Sequence, residues 1–462
     1  MEYRQYRFFN RNSVTMRLVM IGMLTLVLMI PSAMINSLIG ERMDRKQEAI
    51  AEITSKWAKA QTIGGPILTI PYEKRDTDEK GKVLIDIKYL HFLPEQLVVK
   101  GTLNPNTRYR GIYKATLYNA HLNLAGRFAL DKFGSLGIAP EIVRWNDAFI
   151  SVLIPEMKGI KEYIFVQWNG RKIVFEPGIR EGGIFNSGVS AKLPISAEGK
   201  YDFSIGLNLN GSEEFNLLPL GQTTSVHLAS SWPNPSFGGT FLPENHTTGK
   251  DGFTAEWKIL DLNRNYPQQW LGDSYGSSIR ESAFGVKMFS PVDQYTQILR
   301  AVKYIFMFVG LTFLIFFLVE VFNKKRIHPV QYLLIGLALC VFYILLLSLS
   351  EHISFVIAYL IAAVSIIGLI GLYVKSSLDG NWLALITGIL LAALYVYLYI
   401  LLENQDYALL MGSLGIFVIL AAVMYLSRKV DWYAIEIAGP GEPANDEPAF
   451  NRPDGPCKRT IE

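Results

Sequence analysis

Six apolar segments, each long enough to cross a lipid bilayer, restrict what this chain can fold into. A bilayer-crossing helix needs about 20 mainly apolar residues, and the central turns of these segments contain no Lys, Arg, Asp or Glu. One such charge at a helix centre costs about 2.5–3.5 kcal/mol. Its absence from every segment favours membrane spans over the buried helices of a large soluble core. The segments are approximately Met16–Leu38, Tyr304–Phe322, Val330–Leu349, Ile353–Val374, Trp382–Leu402 and Tyr407–Leu426.

The first segment is predicted to be a retained anchor rather than a cleaved signal peptide. Its basic leader fits either role, but an apolar run of 23 residues exceeds a typical signal core. No small-x-small cleavage site follows, because the next residues are Ile39-Gly40-Glu41-Arg42. Pro31 lies inside the segment and is expected to kink it, which membrane helices tolerate.

The short flanks of the six segments predict the orientation of the chain. If the segments alternate in direction, 10 Lys and Arg residues fall on one side and none on the other. Cytoplasmic flanks carry the excess of basic residues, so both termini are expected in the cytoplasm. The basic residues are Arg4, Arg7, Arg11, Arg17, Lys324, Lys325, Arg326, Lys375, Arg428 and Lys429.

These features predict a polytopic α-helical membrane protein of about six spans, with a large β-rich exported domain inserted between spans one and two. The tail is expected to be disordered because it is rich in Pro, Gly and acidic residues from Gly439 onwards. The expected divisions are a cytoplasmic leader (1–15), the first span (16–38), a periplasmic β-rich domain (39–299), a five-helix membrane bundle (304–426) and a cytoplasmic tail (427–462).

The exported domain is predicted to begin with a helix and to continue as antiparallel strands. Apolar residues first recur at helical spacing, from Ile39 to Ala60. Beyond Pro66, apolar residues alternate with polar ones, which is typical of half-buried strands. Gly182 to Gly188 suggests a turn between two β-rich halves that meet near 182–190. The predicted strands include Val83–Tyr89, Tyr118–Leu124, Tyr201–Leu209, Phe165–Val166 and Ile173–Phe175.

Motifs for catalysis and for metal binding are missing from the sequence. None of the four exported histidines belongs to the H-x-x-x-H or H-E-x-x-H pair of a zinc protease. The G-x-S-x-G elbow, the P-loop and the S-x-x-K motif are also missing. From Glu41 to Arg300, 30 basic residues nearly cancel 28 acidic ones, and no basic stripe suits nucleic acid. We therefore predict no enzyme, no cofactor, no metal site and no nucleic-acid partner.

Glu320 is the charged residue closest to the interior of the predicted bundle. It lies near one end of its span, four residues before Lys324, and is expected to pair with that lysine. The last five spans are then expected to pack without a charged pathway. Transport of a neutral solute or a lipid stays open.

The densest group of unusual residues lies late in the exported region, between Ser231 and Trp270. Prolines and glycines there fix irregular loops, and Arg264 lies close in sequence to aromatic residues that suit a glycan, a peptide or a partner protein. The alternative is a loop that packs over its own sheet with these aromatic side chains. The candidate binding surface comprises Trp232, Phe237, Arg264 and Tyr266.

Several short motifs, in order along nearly the whole chain, resemble the CreD family of bacterial inner-membrane proteins. They are Ile30-Pro31-Ser-Ala-Met34 with Glu41-Arg42, Gly65-Pro66-Ile-Leu-Thr-Ile-Pro71-Tyr72, Arg110-Gly111-Ile112-Tyr113, and Trp232-Pro-Asn-Pro-Ser-Phe237 with Phe241-Leu242-Pro243. The resemblance implies one span, a large outer domain and a group of further spans. It also implies a role in cell-envelope integrity, connected with a two-component stress response to damage by cell-wall antibiotics. It supplies no established catalytic residue.

Three hypotheses for function follow. In the first, the protein maintains envelope integrity as a non-enzymatic membrane protein whose periplasmic domain binds or braces an envelope protein, peptidoglycan or a lipid. In the second, the bundle is a transporter or lipid flippase with the outer domain as receiver. In the third, the outer domain is an unrecognised hydrolase. The lipid bilayer is a partner in all three.

Overall fold

The computed structural model describes residues 14–77, 83–130, 134, 137–196, 199–288, 294–323, 327–378, 381–404 and 407–428. The chain divides into two compact units, one formed by Met1–Gly40 with Gln294–Glu462 and the other by Glu41–Asp293. Most of the predicted leader and tail, and the loop Lys324-Lys325-Arg326, lie outside the described residues.

The helices of the first unit confirm the predicted spans. Six helices within the described residues are long and apolar enough to cross a membrane, one near the N-terminus and five towards the C-terminus. The helices of the described residues are α1 (Val14–Val27), α2 (Met29–Trp57), α3 (Gly276–Glu281), α4 (Gln294–Lys303), α5 (Ile305–Asn323), α6 (Pro329–Ser350), α7 (Phe355–Leu378), α8 (Asn381–Glu403) and α9 (Ala408–Ser427).

Pro31 explains why the first span is built from two helices. A proline has no N–H to donate to the carbonyl four residues earlier, which here belongs to Val27. The helix is interrupted at Leu28, one residue after Val27, and α2 then continues to Trp57. The predicted irregularity in the span and the helix that follows it are therefore both present.

The second unit is built from two β-sheets. One has nine strands in the order β13-β17-β11-β1-β5-β9-β8, with β2 on β1 and β16 on β2, and the other has eight in the order β14-β15-β12-β3-β4-β10-β6-β7. The strands are β1 (Gln61–Thr77), β2 (Val83–Phe92), β3 (Gln96–Arg110), β4 (Tyr113–Ala129), β5 (Phe149–Leu153), β6 (Phe165–Trp168), β7 (Arg171–Val174), β8 (Glu176–Pro177), β9 (Gly188–Lys192), β10 (Lys200–Ser212), β11 (Glu214–Leu217), β12 (Thr223–Ser230), β13 (Pro235–Gly239), β14 (Asn245–Gly249), β15 (Gly252–Leu260), β16 (Gln269–Leu271) and β17 (Phe284–Met288).

Burial along the strands follows the sequence pattern. Strands β3, β10 and β15 alternate buried and exposed residues, because one face of the eight-stranded sheet covers the core and the other is open. Strand β5 is buried along its whole length, as expected for a central strand covered on both faces. One hydrophobic core contains residues from both sheets, such as Ile67 and Leu122.

The two sheets do not correspond to sequence halves that meet near 182–190. Strands from both sides of that turn enter both sheets: β1 pairs in parallel with β11, and β3 pairs in parallel with β12. Residues Glu41–Asp293 form one compact unit. Strand pairing therefore joins segments more than a hundred residues apart, which a local turn pattern does not reveal. A division of the domain near 182–190 stays a prediction.

Candidate functional site

A pocket with charged walls lies on the nine-stranded sheet of the β-rich unit. It has a volume of about 320 Å³ and is open to the surface. Neighbouring strands supply its floor, since Pro71 of β1 pairs with Tyr89 of β2, and Phe149 of β5 pairs with Lys192 of β9. We call this site the charged pocket, and its lining residues are Pro71, Ile87, Tyr89, Arg144, Asp147, Phe149, Arg180, Glu181 and Lys192.

Asp147 organises the cationic side of the charged pocket. Its two carboxylate oxygens accept from Lys192 Nζ at 3.1 Å and pair with Arg144 Nη2 at 2.6 Å. The hydrogen bond from Lys192, together with the charge of Arg144, lowers the pKa of Asp147. Arg144 and Lys192 nevertheless keep about half of their side-chain surface exposed, at 42% and 54%. A solvent-facing anionic group therefore has two ordered cations to bind.

Tyr89 forms another wall of the charged pocket. Partial burial, followed by the charge of Glu181, raises the pKa of its hydroxyl. Its ring lies against Gly182, where a Cβ atom would come within 2.2 Å of the ring, and Gly182 has a positive φ of 79°. Glycine is therefore required at this turn for both reasons. The sequence indicated a turn here through Gly182, but no local pattern indicated that a pocket forms beside it.

Trp232 and Phe237 of the predicted binding surface take part in local packing. Trp232 is half-buried and closes its turn by donating from Nε1 to the carbonyl of Asn234 at 3.1 Å. Phe237 lies on β13, with its ring edge-on to the rings of Phe253 and Trp257 at 5.6 and 5.9 Å. Of the two, Trp232 lies on the more exposed turn, next to Pro233 and Asn234.

Arg264 and Tyr266 form a contact of their own. The Arg264 guanidinium lies 4.4 Å from the centre of the Tyr266 ring, and its nitrogens are withdrawn from solvent. This desolvation lowers the pKa of Arg264. Tyr266 is 5% exposed and its hydroxyl donates to the carbonyl of Pro219 at 3.0 Å. Burial likewise raises the pKa of Tyr266.

The pair Trp232 and Phe237 and the pair Arg264 and Tyr266 do not contact each other. Phe237 and Tyr266 instead lie close to the same segment, Ser282 to Val286. Phe237 is in register with Val286 of β17, while the Tyr266 hydroxyl lies 3.0 Å from the Ser282 hydroxyl just before that strand. No ring or guanidinium contact joins one pair to the other among the described residues. A binding role for the four residues stays a prediction.

Glu320 forms a polar cluster with two side chains of other helices in the first unit. One carboxylate oxygen pairs with Arg17 Nη1 of α1 at 2.8 Å, and the other accepts from the Tyr332 hydroxyl of α6 at 2.9 Å. Both oxygens of Glu320 thus have partners on other helices. The expected pairing with Lys324 lies outside the described residues and stays a prediction. The side chain of Glu320 is 3% exposed. A buried carboxylate binds the nearest donors, and helix packing rather than sequence spacing determines which these are.

Metal-binding clusters are not found in the part of the chain that the structure describes, where no group of three or more His, Cys, Asp or Glu side chains is suitably placed. Cys340 lies in α6 and is 3% exposed. Cys457 lies outside the described residues. The arrangement of the charged pocket suits binding of a polar ligand, since cations, carboxylates and a tyrosine share one open site.

The fold and these sites define a class of protein. Six helices of membrane-spanning length, one before and five after a two-sheet β-rich domain, make this a multi-pass membrane protein with a large extramembrane domain.

Comparison with known proteins identifies the family. The model of the family described as "Inner membrane protein CreD" matches residues 13–433. The "Inner membrane protein CreD" of Escherichia coli (strain K12) is 34% identical over 421 residues, which cover 89% of this chain and 92% of that protein. The chain belongs to the CreD family, and it is a multi-pass inner-membrane protein.

Proposed function

We propose that this protein maintains cell-envelope integrity by binding an envelope component on the outer side of the inner membrane. The β-rich domain between the first and second spans is the binding element, and the six helices anchor it. The basic flanks support the orientation, because 10 Lys and Arg residues flank the spans on one side and none on the other. Both chain ends are then cytoplasmic and the β-rich domain is periplasmic.

The charged pocket is the observation that carries this proposal. Arg144 and Lys192 are held in place by Asp147 yet remain open to solvent. Tyr89 adds an aromatic face and a hydroxyl group beside them. The peptide stems of peptidoglycan and the headgroups of lipids carry carboxylate or phosphate groups that suit such cations. Binding is the proposed activity, because these residues offer recognition groups without a nucleophile and base in hydrogen-bond contact.

A double substitution of the charged pocket tests the proposal. Arg144→Gln with Lys192→Gln removes both cations while keeping polar side chains of similar length. In cells that lack their own copy, we expect the variant to reach normal membrane levels but to restore no resistance to detergent or cell-wall antibiotics. Inhibitory concentrations are measured alongside an immunoblot of the membrane fraction.

The matched control is Lys100→Gln with Lys258→Gln on the exposed face of the eight-stranded sheet. This pair removes the same formal charge away from the charged pocket and is expected to behave like the wild type. If the pocket variant also restores full resistance, the charged pocket is not the functional surface.

The predicted aromatic surface is tested by a different design. Ala substitutions at Phe237 or Tyr266 also remove packing, so they do not separate folding from binding. Trp232→Ala acts at the exposed turn, and Tyr266→Phe keeps the ring while removing one hydroxyl group. Loss of resistance with Trp232→Ala at normal protein levels would assign binding to this surface instead.

A further inference from the structure

The membrane cleft is an apolar cavity bounded by α5, α8 and α9. Its volume is about 790 Å³, and it is partly open to the surroundings. Its walls consist almost entirely of aliphatic and aromatic side chains, such as Leu318 of α5, Leu390 of α8 and Val418 of α9. An empty cleft would leave these side chains without contacts on one side, which forfeits dispersion energy along three helices. Some apolar group therefore fills it.

Of the three helices that line the cleft, α9 is the least packed against the rest of the described chain. None of its residues is buried within the described chain. It is tied to α8 near one end, where the Tyr397 hydroxyl donates to the carbonyl of Met411 at 3.1 Å. The close approach at that point depends on Gly415, whose missing side chain leaves room for the Tyr397 ring. Away from this contact, the cleft separates α9 from α5.

We infer that the acyl chains of a phospholipid from the surrounding bilayer fill the membrane cleft. The protein is an inner-membrane protein, so the medium that meets the open side of the cleft is lipid. Water is a poor occupant because the walls offer few polar groups to hold it. A cavity of about 790 Å³ has room for hydrocarbon chains.

The length of the membrane cleft also suits acyl chains. Its α8 wall runs from Trp382 to Tyr397, which is about 22 Å at a rise of 1.5 Å per residue. The hydrocarbon core of a bilayer is roughly 30 Å thick, so the cleft is longer than one leaflet and shorter than two. An extended lipid chain from one leaflet fits along it.

One end of the membrane cleft is suited to the polar part of the lipid. Asn323 at the end of α5 and Trp382 at the start of α8 line the cleft there, and Trp382 is 71% exposed. Tryptophan is typical of the membrane–water interface, where its indole ring lies at the level of the lipid headgroups. The lipid therefore enters from the leaflet at this end, with its headgroup beside Trp382 and its chains between the helices.

Blocking the cleft tests the inference. Ala422 of α9 lines the cleft, whereas its neighbour Ala421 does not. Ala422→Trp is expected to fill the cavity, and Ala421→Trp is its matched control because consecutive residues point about 100° apart on a helix. Ala393→Trp is expected to fill the cleft from the α8 side. Its control is Val396→Trp, because Val396 is exposed on α8 and does not line the cleft.

The full chain and each variant are purified in detergent and passed through a lipid-free sizing column. Phospholipid per chain is then measured by phosphate assay and native mass spectrometry. We expect about one retained phospholipid in the wild type and both controls, and at least a fivefold loss in both blocking variants. Equal elution volumes and melting temperatures show that the variants remain folded.

Three outcomes overturn the inference. One is a wild-type protein that retains no phospholipid, and another is full retention in both blocking variants. The third is a wild-type dimer that becomes monomeric when the cleft is blocked, since this would make a second copy of the chain the occupant.

Discussion

Glu320 carries a negative charge that the membrane-helix unit has to neutralise. Its carboxylate oxygens bind Arg17 and the Tyr332 hydroxyl, so one side chain links α5 to α1 and α6. Arg17 is 22% exposed and Glu320 is 3% exposed. An intramembrane acidic side chain is costly unless it is paired, and here the pair ties the first span to spans from the other end of the chain.

Removing this carboxylate should destabilise the membrane-helix unit. Glu320→Ala leaves Arg17 without its anionic partner, and breaking one side of a buried ion pair costs about 3–5 kcal/mol. Tyr332→Phe removes a single hydrogen bond and should cost about 1 kcal/mol. Thermal unfolding of the purified protein in detergent measures both effects. Arg17→Met combined with Glu320→Met should cost less than the two single changes added together; strict additivity would show that the two side chains do not interact.

His91 in β2 should make the stability of the β-rich domain depend on pH. Its ring is fully buried, and desolvation lowers its pKa from 6.5 to about 4. Between these values the unfolded chain binds a proton that the folded chain excludes, so stability falls as pH drops from 6.5 towards 4, by about 3 kcal/mol in total. Above pH 6.5 this contribution is fully present.

Denaturant unfolding followed by tryptophan fluorescence at several pH values measures this slope. In His91→Phe the titrating group is gone, so the fall in stability between pH 6.5 and 4 should shrink even if the variant is less stable throughout. An unchanged slope would assign the pH dependence to other groups.

At the scale of elements, a short turn after β5 holds the end of helix α2 against the sheets. Gln61 Nε2 at the start of β1 donates to the carbonyls of Glu156 and Asn210 at 3.1 and 3.0 Å. Lys158 Nζ donates to the carbonyl of Ser55 near the end of α2 at 2.8 Å. Gly159 lies at the centre of this junction, where a Cβ atom would meet the Asn210 carbonyl oxygen at 2.5 Å.

Gly159→Ala should therefore destabilise the junction. The added methyl group meets backbone rather than a flexible side chain, and overpacking of this kind costs about 1–3 kcal/mol. Gly206→Ala on β10 is the matched control, because a Cβ atom there has open space around it. Denaturant unfolding of the two variants should show a clear loss for Gly159→Ala and little change for Gly206→Ala. Equal stability of the two would mean that the chain shifts at the junction without cost.

Local patterns predicted the elements, whereas distant contacts determined the sites. Alternating residues identified strands such as β4 and β10, because one face of each is buried. The apolar run of β5 has no such alternation and was not predicted as a strand. Arg17 and Glu320 are 303 residues apart, and the charged pocket joins Pro71 to Lys192. Neither the ion pair nor the pocket can be predicted from the spacing of residues along the sequence, because their members are far apart in the chain.

For the molecule as a whole, the number of spans decides where the sites lie. If all six helices of membrane-spanning length in the described residues cross the bilayer, the two chain ends lie on one side and the β-rich domain on the other. The basic flanks predict that the chain ends are cytoplasmic. In the proposed orientation, the charged pocket would face the periplasm and the end of the membrane cleft at Trp382 would face the cytoplasm.

Cysteine labelling checks this arrangement directly. The chain has two cysteines, and replacing Cys340 by Ala and Cys457 by Ser gives a background without thiols. Leu262→Cys places a thiol on a residue of the β-rich domain that is 88% exposed, and Asn451→Cys places one in the tail. A membrane-impermeant maleimide should label position 262 in intact cells and position 451 only after the inner membrane is opened. The reverse pattern would put the β-rich domain in the cytoplasm, where envelope components outside the membrane do not reach the charged pocket.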